Sequence, residues 1–241
     1  MNAKSKLFTC ILVSLKERSP YFTHQTIHAA INEAELGLKD EAINVYLHQA
    51  VKQGIIHDAG RGWYSRLSQP VKLDLQPVAK LVKAVEKAFP LLEFTVWSTA
   101  QLNPWMHHLL AQPVTFLSAP RDTLESVGDK LKDLGWEVAV NPGRKAAAKA
   151  IRPGEKMVVL RPAHSKQPPA KAGHQMSVEQ VVVELLIEAA DCGLMDESEA
   201  REAVRGLVLA GLTQIPAMQR FAGFRRVELT VIDELTKATI S

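Results

Sequence analysis

Residues 39–67 read Lys-Asp-Glu-Ala-Ile-Asn-Val-Tyr-Leu-His-Gln-Ala-Val-Lys-Gln-Gly-Ile-Ile-His-Asp-Ala-Gly-Arg-Gly-Trp-Tyr-Ser-Arg-Leu, and their hydrophobic period changes once. Over 39–53 the apolar residues Ile43, Leu47, Ala50 and Val51 recur at helical spacing, and Gly54 supplies the stop. Ile55, Ile56 and His57 can then extend as a strand. Ala59-Gly60-Arg61-Gly62 supplies turn glycines, and 63–67 returns as the partner strand. A helix closed by a glycine-tipped hairpin points to one small fold if two more helices precede it.

The preceding residues supply both. Leu7, Ile11, Leu12 and Leu15 predict a helix over 3–17 that Ser19-Pro20 ends. A second has Thr23 or Thr26 as its cap, Ile27, Ala30, Ile31 and Ala34 as its stripe, and Gly37 as its terminator. Three helices and a hairpin predict a winged helix-turn-helix over 1–68. Residues 68–77, with Pro70, Pro77 and no period, read as a domain boundary.

Beyond it the pattern alternates. A helix over 76–88 leads to a buried strand at 92–97, a short helix near 105–110, a strand at 114–117, a helix at 121–134 and a strand at 136–140. A short Ala/Lys/Arg helix and a strand at 157–160 complete a small α/β sheet domain, 76–165. Residues 163–175 read as a linker. Ser177 with Gln180 forms a capping box for a helix at 177–190, and helices at 198–210, 216–224 and near residue 241 make a helical C-terminal region, 176–241. The expected class is α+β: an N-terminal winged helix-turn-helix, a central small α/β sheet domain and C-terminal helices.

Composition narrows the function classes. With 46% apolar and 23% charged residues among 241, the chain is neither disordered nor collagenous. No stretch approaches the ~18 consecutive apolar residues of a membrane span, and the first twenty residues lack a secretory pattern. Cys10 and Cys192 are too few for a disulfide framework and are expected to be buried and reduced, which with the rest predicts a cytoplasmic protein without a membrane partner. The net charge of +3 is uneven: residues 1–68 carry 8 basic and 6 acidic groups, 69–175 carry 15 and 9, and 176–241 carry 6 and 11. A polyanionic partner would face the first two thirds.

With Ile43, Leu47, Ala50 and Val51 turned inward, Asn44, His48 and Lys52 line up on the opposite face of the third helix, flanked by Lys39, Glu41 and Gln49. Asn and Gln pair with adenine in the major groove, and Lys and His reach guanine or phosphate oxygens. The same residues equally suit the solvated side of an amphipathic helix. Arg61, at the hairpin tip, would approach the sugar-phosphate backbone or minor groove, and Arg66 would add a cation beside it. Trp63 and Tyr64 are expected to pack on the helices. A second basic cluster, Arg144, Lys145, Lys149 and Arg152, with Lys156 and Arg161 beyond it, would present a cationic stripe for phosphates or solvent.

Catalytic constellations are missing from the pattern: there is no Gly-rich phosphate loop, Gly-x-Ser-x-Gly elbow, Glu-x-Lys nuclease signature or paired nucleotidyltransferase aspartates. His107-His108 are adjacent and diverge on a helix, and His24 and His28, though four residues apart, lack a third ligand. No metal, cofactor or enzymatic activity is expected.

The segments 59–67 (Ala-Gly-Arg-Gly-Trp-Tyr-Ser-Arg-Leu), 94–102 (Phe-Thr-Val-Trp-Ser-Thr-Ala-Gln-Leu) and 141–144 (Asn-Pro-Gly-Arg) resemble bacterial proteins related to the AbiEi-type antitoxins of the AbiE toxin–antitoxin systems. The likeness covers about residues 1–165; the helical tail after 176 departs from the pattern. It implies a DNA-binding antitoxin that represses its own operon and counters a nucleotidyltransferase-like toxin. By position, Asn44, His48, Lys52 and Arg61 would read the operator in double-stranded DNA. The alternatives are a stand-alone transcription regulator and a non-catalytic protein-interaction module.

Overall fold

The computed structural model describes residues 2–106, 112–166 and 172–240. Its helices are α1 (Ala3–Lys6), α2 (Leu12–Arg18), α3 (His24–Glu33), α4 (Asp40–Lys52), α5 (Gln76–Ala88), α6 (Leu124–Asp133), α7 (Arg144–Ala150), α8 (Val178–Cys192), α9 (Glu197–Ala210), α10 (Ile215–Arg225) and α11 (Thr230–Ile240). Its strands are β1 (Tyr21–Thr23), β2 (His57–Asp58), β3 (Trp63–Ser65), β4 (Thr95–Ser98), β5 (Thr115–Ala119), β6 (Glu137–Val140) and β7 (Met157–Pro162). The chain is mixed α+β, with two small sheets among the described residues. None of the described helices is long and apolar enough to cross a membrane.

The chain forms two compact units, one of residues 1–71 with 208–241 and the other of residues 72–207. This differs from the three consecutive regions read in sequence. The helical region 176–241 is divided: α8 and most of α9 belong with the second sheet, while α10 and α11 belong with the N-terminal residues.

In the first unit, α1, a π-helical turn at Leu7–Ile11 and α2 run on without a break and bury Leu7, Ile11, Leu12 and Leu15. β1 follows as a strand with no signature of its own in the sequence, because three residues are too few to show alternation. It pairs antiparallel with β3, with Tyr21 opposite Ser65 and Thr23 opposite Trp63, and β3 pairs with β2, so the order is β1-β3-β2. Thr23 then caps α3, its hydroxyl accepting the Thr26 N–H at 3.0 Å.

α3 ends at Glu33, short of the expected Gly37. Glu35 takes the left-handed turn (φ 50°), and the Leu36 N–H donates to the Ile31 carbonyl at 3.3 Å, returning Leu36 to the core. α4 matches its expected span and packs Ile43, Leu47 and Ala50 against Ile27 and Ile31 of α3. From the far end of the chain, α11 packs against α2 and β1.

In the second unit the sheet order is β4-β5-β7-β6, with β4 antiparallel to β5 and the other pairs parallel. α5 and α6 contribute Val78, Leu81, Val127 and Leu131 to a core with Val96, Leu117, Val158 and Leu160 of the strands. The expected strand at 92–97 starts later and ends at Ser98, which caps a 3-10 turn, Thr99–Trp105, through a capping box with Gln101. The helix expected near 105–110 falls largely on residues 107–111, outside the described residues, and so does the pair His107-His108. The linker expected at 163–175 is described only in part.

α8 is buried on most of its circumference and needs cover on several sides. Its Glu188, 1% exposed, meets the Arg161 guanidinium of β7 in a forked pair, Nε to Oε1 at 2.7 Å and Nη2 to Oε2 at 2.6 Å. Arg161 also donates to the Pro142 carbonyl at 2.7 Å and to Cys192 Sγ at 3.2 Å, and the Cys192 thiol donates to Glu188 Oε2 at 2.9 Å. Burial opposes the arginine's charge, but Glu188 outweighs it and holds the guanidinium above its ordinary pKa. The thiol is pushed up to about 12, by burial first and then by the Glu188 carboxylate.

Candidate functional site

α4 and the β2–β3 hairpin face each other across an open cleft of about 270 Å³ in the first unit, lined by Asn44, His48 and Val51 from the helix and by Asp58, Gly60, Arg61, Gly62 and Tyr64 from the hairpin. The helical period builds one wall: burying Ile43, Leu47 and Ala50 turns Asn44 and His48 outward, and both are exposed. The turn glycines build the other. Gly60 (φ 104°) and Gly62 (φ 77°) bracket Arg61 and leave it exposed at the tip. Asp58 Oδ1 accepts the Gly60 N–H at 2.8 Å, which fixes the start of the turn.

The hairpin is braced by residues from the chain's last quarter. The Ile215 N–H donates to the Ala59 carbonyl at 2.9 Å, the Gln214 side-chain amide donates to the Asp58 carbonyl at 3.4 Å, and Pro216 lies so close that a Cβ on Gly60 would stand 2.6 Å from its Cδ. Below the hairpin, fully buried Tyr21 donates from its hydroxyl to the Gly211 carbonyl at 2.6 Å and accepts the Thr213 N–H at 2.9 Å. No local pattern in the sequence marks this brace, because its partners lie 190 residues apart.

Asn44 is itself positioned. His24 Nε2 donates to Asn44 Oδ1 at 2.9 Å, which directs the Asn44 amide nitrogen elsewhere. The His24 and His28 rings lie 4.4 Å apart, and His28 Nδ1 sits 3.6 Å from Asp40 Oδ1. No three His, Cys, Asp or Glu side chains among the described residues come together to hold a metal ion.

Of the other sequence-selected residues, Lys39 and Lys52 are exposed at the two ends of α4. Gln49 is half-buried with its amide oxygen enclosed and unpartnered, so it is not an open surface group. Arg66 is exposed but lies past the end of β3 opposite the tip, not beside Arg61. Tyr64 packs on the helical core and stacks on Phe22 at 6.5 Å; burial, with Asp58 adding to it, raises its phenol pKa.

In the second unit Arg144, Lys145 and Lys149 are exposed on α7, and Arg152 follows just beyond its C-terminus. None of the four has an ion-pair partner among the described residues. Arg161, expected to extend this stripe, is instead held by Glu188. Cys10, expected to be buried, is exposed on the π-helical turn.

The chain belongs to a family of unknown function, DUF6577, whose family model matches residues 42–241. The match begins inside α4 and includes the hairpin and its brace. No curated protein matches the chain.

Proposed function

We propose that the protein is a non-catalytic, sequence-specific binder of double-stranded DNA, and that its first unit is a winged helix whose α4 enters the major groove while the β2–β3 hairpin lies on the adjacent backbone. The observation that carries this reading is the cleft: Asn44 and His48 of α4 stand across from Arg61, so base-reading and phosphate-binding groups face one space. The order helix, β1, α3, α4, β2, β3, with sheet order β1-β3-β2, supports the same reading. The cations of Arg144, Lys145, Lys149 and Arg152, without an ion-pair partner among the described residues, offer a further phosphate-binding surface. The resemblance to AbiEi-type antitoxins makes autorepression of its own operon in the bacterial cytoplasm the biological setting, with a nucleotidyltransferase-like toxin as the partner to seek.

The test is fluorescence anisotropy with duplex DNA from the gene's own upstream region and with a scrambled duplex, across a salt series. Tighter binding to the native duplex with a steep salt slope is expected. Arg61→Ala should weaken both duplexes alike and reduce the slope by about 0.9, the loss of one phosphate contact. Asn44→Ala should instead narrow the gap between the duplexes by roughly 1–3 kcal/mol. Salt-insensitive or absent binding to both duplexes would sink the reading and favour a protein-interaction module.

A further inference from the structure

The outward stripe of α4 holds one exposed apolar side chain among polar ones. Glu41, Val45, His48 and Lys52 follow one another at intervals of four, three and four residues and so share a face of the helix. Three of them are polar. Val45 is an apolar, β-branched residue, a poorer helix former than Ala, Lys or Glu, and it is 53% exposed. Inside a duplex major groove the apolar group at a base edge is the C5 methyl of thymine, which cytosine lacks.

We infer that Val45 is a specificity-determining residue that contacts a thymine methyl, an inference that rests on the proposed reading of duplex DNA by α4. Its neighbours suit that occupant. Lys52 and, across the cleft, Arg61 supply charge for phosphates. His48 lies one turn along, and Asn44, its oxygen engaged by His24, offers its amide N–H groups to acceptors on adjoining bases. Glu41 can accept from a cytosine amino group. A single apolar side chain among polar groups suits one methyl at a base edge.

The full-length protein is used to enrich binding sequences from a pool of duplexes with a random core. The best-bound duplex is rebuilt with deoxyuridine at one thymine at a time, which deletes only the methyl. At one thymine of the site the unaltered protein should bind the deoxyuridine form roughly fourfold more weakly, the effect of one buried methyl-sized group. Val45→Ala should lose a similar factor on the thymine duplex and no longer distinguish the two. Val45→Thr, which keeps one methyl, should retain part of the discrimination, and helical circular dichroism should show both variants folded. Selective, salt-dependent binding that is indifferent to every replacement overturns the role of Val45 and leaves the DNA reading standing. Discrimination that persists in Val45→Ala assigns the methyl contact to another side chain and overturns the inference. A pool that does not enrich removes the DNA reading and the inference with it.

Discussion

Gly60 and Gly62 look alike in sequence but meet different surroundings. Both have positive φ, so any other residue would strain the backbone there. At Gly62 a Cβ would meet nothing within 4 Å, whereas at Gly60 it would strike Pro216. Gly62→Ala should therefore cost about 1–2 kcal/mol of stability from the backbone alone. Gly60→Ala should cost more than Gly62→Ala, because Pro216 must also shift. Urea denaturation of the two variants checks the order; equal costs would remove Pro216 from the brace. The doublet was legible as a turn, but the neighbour 156 residues away was not. The outward position of Asn44 and His48 was legible from period alone, while the enclosed Gln49 oxygen needed the packed structure.

Elements whose local signal is long or specific enough were readable: α4 and α5 fall close to their expected spans because 13 residues carry the apolar repeat several times, and α8 because the Ser177–Gln180 capping box marks its start. β1 escaped because strand identity in three residues depends on β3 beside it. The sequence also hid the forked ion pair that links β7 to α8. Glu188→Gln should destabilise the second unit by about 3–5 kcal/mol, since it leaves the Arg161 side chain, only 16% exposed, without its counter-charge. Replacing both with apolar residues should cost less than Glu188→Gln alone, which a double-mutant cycle measures. Cys192 adds a pH signature. Its thiol titrates at about 12 folded against 9.0 ordinarily, so its contribution is complete below pH 9 and disappears as the pH climbs toward 12. Unfolding free energy should fall over that window in the unaltered protein and fall less steeply in Cys192→Ala; parallel curves would show that the buried thiol does not matter.

At the scale of the whole molecule the chain leaves its first unit at residue 71 and returns at 208. Residues 1–71 alone would lack the Gly211 and Thr213 partners of Tyr21 and the buried Val231, Ile232 and Leu235 of α11. That fragment should show no cooperative thermal transition, whereas the full chain should; a sharp transition from the fragment would restore the self-contained domain read at 1–68. By itself the sequence determined the α+β class, most helices and the outward-facing residues of α4, because those follow from apolar spacing within a single element. Only the tertiary structure decided how the C-terminal helices are shared, what braces the hairpin, where Arg161 goes and which cations stay open. Those outcomes turn on burial and on hydrogen bonds between residues far apart in the chain, and no local pattern encodes such partners.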